Sequence, residues 1–250
     1  MNFNILTLFP EIIEPFFTNS IMAKSVEQNK VAYNLIDFRQ WATDRHKTCD
    51  DSPYGGGAGM VIKAQPLGSA LDSIDAKNKR VIYPTPSGKL FNQEYARQLS
   101  KEKELVIICG RYEGIDQRII DLYVDDEICI GDYVISSGEI AALVIVDAIY
   151  RLLDGVINEK SLVEESFSNG LLEYPQYTRP ERYCDLSVPE VLLSGHHAQI
   201  ENWRDEKRLE KTVLNRPDLL EKVSLSEKEQ LFVKKLKSQL AKGTVENGHT

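Results

Sequence analysis

The chain has 250 residues, of which 42% are hydrophobic and 27% charged, and its formal net charge is −8. This composition is typical of a soluble globular protein and leaves room for one large domain or two unequal ones. The acidic balance argues against a protein that holds nucleic acid mainly by bulk electrostatics, because neutralising phosphates requires clustered Lys and Arg. Any RNA partner would therefore have to be bound by local contacts rather than by the overall charge of the protein.

The sequence carries no pattern that predicts export or membrane insertion. Residues 1–9 lack the basic start and long apolar stretch of a secretory signal, and no later apolar run reaches the roughly 20 residues that cross a bilayer. We therefore expect no membrane partner and a cytoplasmic location. The four cysteines are widely spread and form no CxxC pair, so they are predicted to be ordinary thiols rather than zinc ligands or disulfides.

Up to about residue 158, short apolar runs alternate with helical stretches, which predicts a three-layer α/β domain with a parallel sheet. The predicted strands are 3–8, 31–36, 80–83, 105–109 and 127–130. The predicted helices are 11–28, 66–76, 92–100 and 137–153. The last helix is apolar on almost every side, so we expect it to be buried all round, in its own subunit or against a second one.

The character of the sequence changes after this helix. The polar stretch 158–169 has no hydrophobic period and predicts a mobile connection, and residues 243–250 are expected to fray. Helices are predicted at 194–216 and 226–242, the second opened by a capping box of Ser226 and Glu229. The predicted organisation is thus a domain at 1–160, a linker at about 161–175 and a helical C-terminal domain that completes 161–250.

Four loops place glycine beside charged or hydroxyl residues at the ends of predicted strands, where open α/β sheets bind ligands. They lie at 54–60, 83–88, 109–116 and 130–139. Each alone is compatible with ordinary turn chemistry. The first is not a dinucleotide fingerprint, since no strand runs straight into it and no helix clearly follows, and 87–90 lacks the flanking residues of a phosphate-binding P-loop. An enzyme acting on nucleoside triphosphates is therefore not expected.

Six motifs together resemble the bacterial tRNA (guanine-N1)-methyltransferases, the TrmD family of the SPOUT superfamily. They follow the family order across nearly the whole chain, as DDSPYGGG at 50–57, CGRYEGID at 109–116, IGDY at 130–133, GLL at 170–172, YTRP at 177–180 and LSGHH at 193–197. Each motif is weak alone, and the six in register carry the resemblance.

The resemblance implies a fold, a cofactor and partners. The fold would be a SPOUT-type parallel sheet with a deep trefoil knot, an exception to the rule that chains do not thread their own loops, followed by a small helical domain. The knot domain 1–160 would bind S-adenosylmethionine, and the C-terminal domain would bind tRNA. The family works as a homodimer with active sites at the subunit interface, which would also account for the apolar helix that ends near Leu152.

The resemblance also assigns the cofactor to the loops after three strands, whose backbone groups would read the adenine. The candidate cofactor-binding residues are Tyr83, Pro84, Thr85, Pro86, Gly110, Arg111, Tyr112, Glu113, Gly114, Ile130, Gly131, Tyr133, Ile135, Ser137 and Gly138. Glu113 could orient the methionine end of the cofactor or help to hold a magnesium ion, and direct metal ligation is not assigned. Ser137 stands where the family usually has glycine, a change that could tighten the cofactor loop.

Methylation of guanine N1 requires a base and a cation. The N1 atom carries a proton that a carboxylate must remove, and negative charge then builds on the neighbouring O6. Arg151 matches a family arginine and is the candidate cation. The family has an aspartate before a Ser-Phe pair in the linker, and this chain has Glu165 there, preceded by Glu164. Glu165 is the candidate base, with Glu164 as the alternative.

The remaining family positions predict contacts with the RNA. The candidate substrate-binding residues are Asp50, Gly55, Gly56, Gly57, Glu173, Gln176, Arg179, Ser194 and His196. A stripe of Arg204, Arg208 and Lys211 on a predicted helix could track phosphates. The implied reaction is methylation of guanosine at position 37, next to the anticodon. The rivals are a ribose 2′-O-methyltransferase, which the 170–180 block argues against, and a catalytically silent RNA-binding dimer, which the Glu165 substitution would permit.

Overall fold

A computed structural model describes residues 1–158 and 165–242. The chain divides into two compact units, Met1–Ile157 and Asn158–Thr250. The predicted domain boundary near residue 160, the first part of the predicted linker, the alternative base Glu164 and the expected fraying of 243–250 all lie outside the described residues.

The first unit is built around a parallel sheet. In chain order its strands are β1 (Asn2–Thr7), β2 (Ala32–Asp37), β3 (Asp50–Asp51), β4 (Val61–Ile62), β5 (Arg80–Leu90), β6 (Glu104–Ile108) and β7 (Asp126–Cys129). Five of them form one sheet in the order β2-β1-β6-β5-β7, with every neighbouring pair parallel. The predicted α/β class with a parallel sheet is confirmed.

Helices cover both faces of this sheet. They are α1 (Pro10–Phe17), α2 (Ser20–Glu27), α3 (Ala64–Ser73), α4 (Gln93–Leu99), α5 (Gln117–Tyr123) and α6 (Gly138–Tyr150). Successive strand residues point to opposite faces, so Leu105 and Ile107 enter one hydrophobic core while Val106 and Ile108 enter the other. Burial on both faces explains why the central strand β6 is a continuous apolar run.

Two element bounds predicted for this unit differ from the structure. The single helix predicted at 11–28 is two helices, because the Asn19 side chain donates a 2.7 Å hydrogen bond to the Pro15 carbonyl oxygen at the end of α1 and Ser20 adopts a φ of 59°. Side chains that bond to nearby backbone in this way compete with helix continuation. Strand β5 also runs beyond the predicted 80–83, with a register shift between Pro84 and Lys89.

Helix α6 is not buried all round within one chain. Ile145 and Ile149 are fully buried, whereas Ile140 and Val144 on another face are 47% and 44% exposed. Of the two alternatives, complete burial within one subunit is therefore wrong.

The second unit is mainly helical. It contains a short antiparallel hairpin, β8 (Arg182–Tyr183) with β9 (Leu186–Ser187), and the helices α7 (Glu190–Leu193), α8 (His197–Asn215) and α9 (Glu227–Ala241). The helix predicted at 194–216 is confirmed as α8, which begins three residues later than predicted, after the turn at 194–196. The capping box of α9 is confirmed, with the Ser226 backbone N donating to Glu229 at 2.7 Å. The second unit has its own small hydrophobic core, formed by Leu171, Leu209, Val213, Val233 and Leu236.

The last residues of the polar stretch 158–169 make local hydrogen bonds, and the mobility expected for this stretch stays a prediction. The Phe167 backbone N donates to the Leu171 carbonyl oxygen at 2.8 Å, and the Glu173 backbone N donates to Ser166 Oγ at 3.0 Å. Residues 165–173 therefore form a hydrogen-bonded turn. No helix within the two described ranges combines the length and apolar character needed to cross a membrane.

Candidate functional site

A cleft of about 220 Å³ opens in the first unit where the chain leaves β6 and β7 and crosses the middle of β5. Its walls come from residues 83–86, 110–114, 128–131 and 133–138, together with Ala141. All fifteen candidate cofactor-binding residues line it. The structure therefore brings together three loops that are far apart in sequence, and their role as cofactor ligands stays a prediction.

The walls touch each other through glycines. A Cβ atom on Gly110 would lie 2.9 Å from the Tyr83 ring, and one on Gly138 would lie 2.6 Å from the Gly110 backbone N. The Gly138 N donates a 2.9 Å hydrogen bond to the Gly110 carbonyl oxygen. Side chains at these two positions would force the loops apart, so the cleft requires glycine there.

Tyr83 forms part of the floor of the cleft and is only 6% exposed. Burial raises the pKa of its phenol, and the backbone hydrogen bond of Ile115 opposes that rise. Tyr83 is therefore a neutral hydrogen-bonding group at physiological pH.

A buried cluster lies behind the cleft. The Glu139 side chain is fully buried and accepts hydrogen bonds from Thr7 Oγ1 at 2.6 Å and Ser137 Oγ at 2.5 Å. Its Oε2 is 3.6 Å from Arg111 Nε, and the Arg111 guanidinium lies 4.0 Å from the centroid of the Phe9 ring. The cluster thus joins the end of β1 to two walls of the cleft.

The hairpin of β3 and β4 lies next to the same cleft. The Glu113 backbone N donates to the Met60 carbonyl oxygen at 3.0 Å, and the Ile62 N donates to the Gly114 carbonyl oxygen at 3.0 Å. Three candidate substrate-binding glycines, 55–57, form the exposed tip of this hairpin with positive φ angles, and Asp50 lies in β3. Four candidate substrate residues are therefore carried beside the cleft.

Comparison with known proteins identifies the family. A model of the family described as "tRNA (Guanine-1)-methyltransferase TrmD" matches residues 1–222. The chain belongs to the TrmD family. A relative from Treponema denticola, named tRNA (guanine-N(1)-)-methyltransferase, is 64% identical over 222 residues, which are 89% of this chain and 91% of the relative. A relative of the same name from Borreliella burgdorferi is 62% identical over 221 residues, which are 88% of this chain and 92% of the relative.

In this TrmD chain, Arg151 directly follows α6. The exposed face of α6 carries a shallow groove, and Arg151 lies at the end of that groove. The groove is lined by Gln93, Ile140, Leu143, Val144, Asp147, Ala148 and Arg151. Burial raises the pKa of the Asp147 carboxyl, and the charge of Arg151 opposes that rise. Glu165 belongs to the second unit, where its carbonyl oxygen accepts a 3.2 Å hydrogen bond from the Ser168 N. The two candidate catalytic residues are therefore carried by different units, and their roles stay predictions.

The other candidate substrate residues of this family member lie in the second unit. Gln176, Arg179 and His196 are exposed, and Glu173 is partly exposed. The Ser194 hydroxyl donates to the Val191 carbonyl oxygen at 2.8 Å and accepts from the His196 N at 3.1 Å, which shapes the turn into α8. These placements are compatible with contact to a large ligand.

The proposed phosphate stripe on α8 is wrong for one of its members. Arg208 is only 9% exposed, and its guanidinium donates a hydrogen bond to the side-chain oxygen of Asn169, in the turn at 165–173. Arg204 lies 4.7 Å from the centroid of the Tyr174 ring and pairs with Glu201 at 3.0 Å. Arg208 is therefore a structural residue, which the spacing alone could not reveal.

Sequence reasoning missed several residues of the TrmD cleft. Ile128, Cys129, Val134, Ser136 and Ala141 also line it. Ile128 and Cys129 directly precede the IGDY motif, and Val134 and Ser136 lie in the 130–139 loop that the sequence analysis singled out without naming these two residues. Ala141 lies in α6, where no motif indicated it. Cys109 is a buried free thiol, and burial together with the nearby Glu139 charge raises its pKa well above the usual range. Across the two described ranges, no three His, Cys, Asp or Glu side chains are grouped to hold a metal ion, so the magnesium role of Glu113 stays a prediction.

Proposed function

We propose that this chain transfers a methyl group from S-adenosylmethionine to N1 of the guanosine at position 37 of tRNA, next to the anticodon. The observation that carries the proposal is the cleft itself: in a TrmD family member, three glycine-containing loops meet around one cavity, beside the hairpin that bears the DDSPYGGG motif.

The residues of the cleft suit an adenosyl donor. Pro84, Pro86, Ile130 and Ile135 provide apolar surface for a purine ring, and the glycine positions expose backbone N–H and carbonyl groups that can form its hydrogen bonds. Arg111 and Glu113 provide opposite charges suited to the carboxylate and ammonium groups of the methionine end. S-adenosylmethionine supplies an electrophilic methyl group and departs as a neutral thioether.

The chain's own residues would activate the acceptor. Glu165 accepts the proton from guanine N1, which turns a poor nucleophile into a good one, and such a base contributes about 10²–10⁴-fold to the rate. Arg151 stabilises the negative charge that builds on O6, an effect of preorganised electrostatics. Glu165 is one methylene longer than the family aspartate, so the linker that carries it must place it differently.

A homodimer and a trefoil knot complete the proposal. The apolar side chains of Ile140 and Val144 on the exposed face of α6 support burial of that face against a second copy. Arg151 would then lie at the subunit interface. Convergence of loops 83–88, 110–114 and 130–138 on one cavity supports a knot that wraps the cofactor.

The test is product analysis. Unmodified tRNA is incubated with the protein and methyl-labelled S-adenosylmethionine, then digested to nucleosides, with a tRNA bearing adenosine at position 37 as the control. We expect labelled 1-methylguanosine from the first tRNA and none from the control. A labelled 2′-O-methylated nucleotide would favour the ribose methyltransferase, and no label at all, with the donor bound, would favour a silent RNA-binding dimer. A magnesium titration of the wild type against Glu113→Gln tests the role of Glu113.

A further inference from the structure

The fully buried carboxylate of Glu139 lies outside the cleft, yet it contacts two residues that line it. Ser137 and Arg111 belong to different loops, and both are wall residues. Glu139 Oε2 accepts from Ser137 Oγ at 2.5 Å and lies 3.6 Å from Arg111 Nε. One carboxylate oxygen thus accepts a hydrogen bond from one wall and forms an ion pair with the other, while the buried Arg111 Nε makes no hydrogen bond to any described residue.

The other carboxylate oxygen ties this pair to the sheet. Glu139 Oε1 accepts from Thr7 Oγ1 at 2.6 Å, and that hydroxyl in turn accepts from the Phe9 backbone N at 2.9 Å. Thr7 ends β1, whose backbone is fixed by strands on both sides. The rigid sheet therefore determines where the Glu139 carboxylate lies.

The Ser137 hydroxyl is used in an unusual way. Ser137 is the N-cap residue of α6, where a serine side chain commonly accepts a hydrogen bond from the backbone of the first turn. Here it makes no such capping bond and donates to Glu139 instead. The Ser137 hydroxyl thus adds a contact between the loop and the buried carboxylate.

We propose that Glu139 is a positioning residue for the methyl donor: by fixing Ser137 and Arg111 it sets the affinity of the cleft for the donor without touching it. The inference rests on the proposed function. The backbone bond between Gly138 and Gly110 holds the same two loops together, so losing the carboxylate contacts should loosen the walls without dismantling them.

The test measures binding of S-adenosylmethionine to the full chain by calorimetry, without tRNA. Glu139→Gln should weaken donor binding about tenfold, the size of one charge-assisted hydrogen bond. At saturating donor the kcat and the KM for tRNA should stay unchanged. A general loss of folding would instead lower the activity together with donor binding. Asp126→Asn is the control, because Asp126 is also an arginine-paired carboxylate that is largely shielded from solvent, with a 16% exposed side chain, but lies outside the cleft. It should lower the Tm and leave the donor Kd unchanged.

A double-mutant cycle tests the route through Glu139. If Ser137 acts through this carboxylate, Ser137→Ala and Glu139→Gln should not add in their effects on the donor Kd. Thr7 lies outside the cleft, and Thr7→Val removes its hydroxyl while keeping the shape of the side chain. This variant should also weaken donor binding. If Glu139→Gln does not fold, Thr7→Val takes its place in the cycle. An unchanged Kd in Glu139→Gln, fully additive effects, or a Kd that follows the Tm in every variant would overturn the proposal. Failure of the wild type to bind the donor would instead overturn the proposed function.

Discussion

The ring of Tyr83 lies against Gly110, where a Cβ atom would come within 2.9 Å of both Cε2 and the hydroxyl oxygen. Tyr83 comes from β5 and Gly110 from the loop after β6, and these two parallel strands are neighbours in the sheet. The floor and one wall of the cleft are thus in contact with no side chain between them.

Gly110→Ala should therefore disrupt the cleft. The added methyl group must displace the buried ring of Tyr83, and overpacking of this kind costs about 1–3 kcal/mol of stability. We expect a lower Tm and a clear loss of donor affinity by calorimetry. Gly68→Ala, within α3 and away from the cleft, is the control that should retain donor binding, since its Cβ would meet only side-chain atoms outside the cleft, Ile119 Cδ1 at 3.3 Å and the Tyr123 hydroxyl at 4.0 Å. Normal donor binding in Gly110→Ala would contradict the assignment of the cleft.

The sequence was sufficient to predict those features that depend on local pattern. Strand β6 is a continuous apolar run, and most of the cleft residues lie in the glycine-containing segments that follow β6 and β7, so both features could be recognised from the sequence. Features that depend on distant contacts could not. The buried state of Arg208 depends on Asn169, 39 residues away, and the burial of Glu139 depends on Thr7, 132 residues away. The α1–α2 break is intermediate, because the signals at Asn19 and Ser20 are local but weak.

Asp126 should contribute to stability in a pH-dependent way. Burial opposes its ionisation, but hydrogen bonds from Arg80 and Tyr95 outweigh burial and lower the pKa of the carboxyl. A carboxyl whose pKa is lower in the folded state stabilises the protein above the unfolded value of about 3.9, and this contribution is lost as the pH falls through the folded pKa.

We therefore expect Asp126→Asn to be less stable than the wild type at pH 7, by about 1–3 kcal/mol, and to show a flatter loss of stability below pH 5. Urea unfolding at several pH values measures both effects. The control is Asp218→Asn, because the Arg216 pair of Asp218 is about half exposed and should matter little. An equally steep acid dependence in Asp126→Asn would contradict the prediction.

The exposed face of α6 should form the dimer interface. Val144→Asp places a charge in the middle of an apolar patch, which would be desolvated on association. We expect this variant to be a monomer by sedimentation and to lose methyltransferase activity, because Arg151 lies in the same groove. Leu122→Asp, at a 62% exposed position of α5, should leave the oligomeric state unchanged. A wild type that sediments as a monomer would refute this interface.

Glu165→Gln should remove the base while keeping a side chain of the same size. We expect kcat to fall by about 10²–10⁴-fold with the donor Kd unchanged. Glu165→Asp shortens the side chain by one methylene, and because a misplacement of about 1 Å can cost on the order of a hundredfold, this variant should also be slow. Glu181→Gln, an exposed position of the same unit outside the candidate site, is the control. Turnover near the wild-type rate in Glu165→Gln would transfer the role to Glu164.

Helix α9 should contribute to the binding of tRNA. It lies beyond residues 1–222 matched by the TrmD family model, and with the residue that follows it carries five exposed lysines, Lys228, Lys234, Lys235, Lys237 and Lys242. Within the described parts of the chain none of the five forms an ion pair, although the whole chain is acidic. A positively charged helix face is therefore available for phosphates.

Changing Lys234, Lys235 and Lys237 together to Gln should raise the KM for tRNA while leaving donor binding and kcat unchanged. Each phosphate contact contributes about 0.7–0.9 to the slope of log affinity against log salt concentration. If all three lysines contact phosphates, the slope of the variant should be shallower by about three times that amount. The matched control is Lys101→Gln with Lys103→Gln, two exposed lysines of the first unit before β6. If the two variants show the same salt slope, α9 does not contact the RNA, and the local grip must come from the loops around Arg179 and His196.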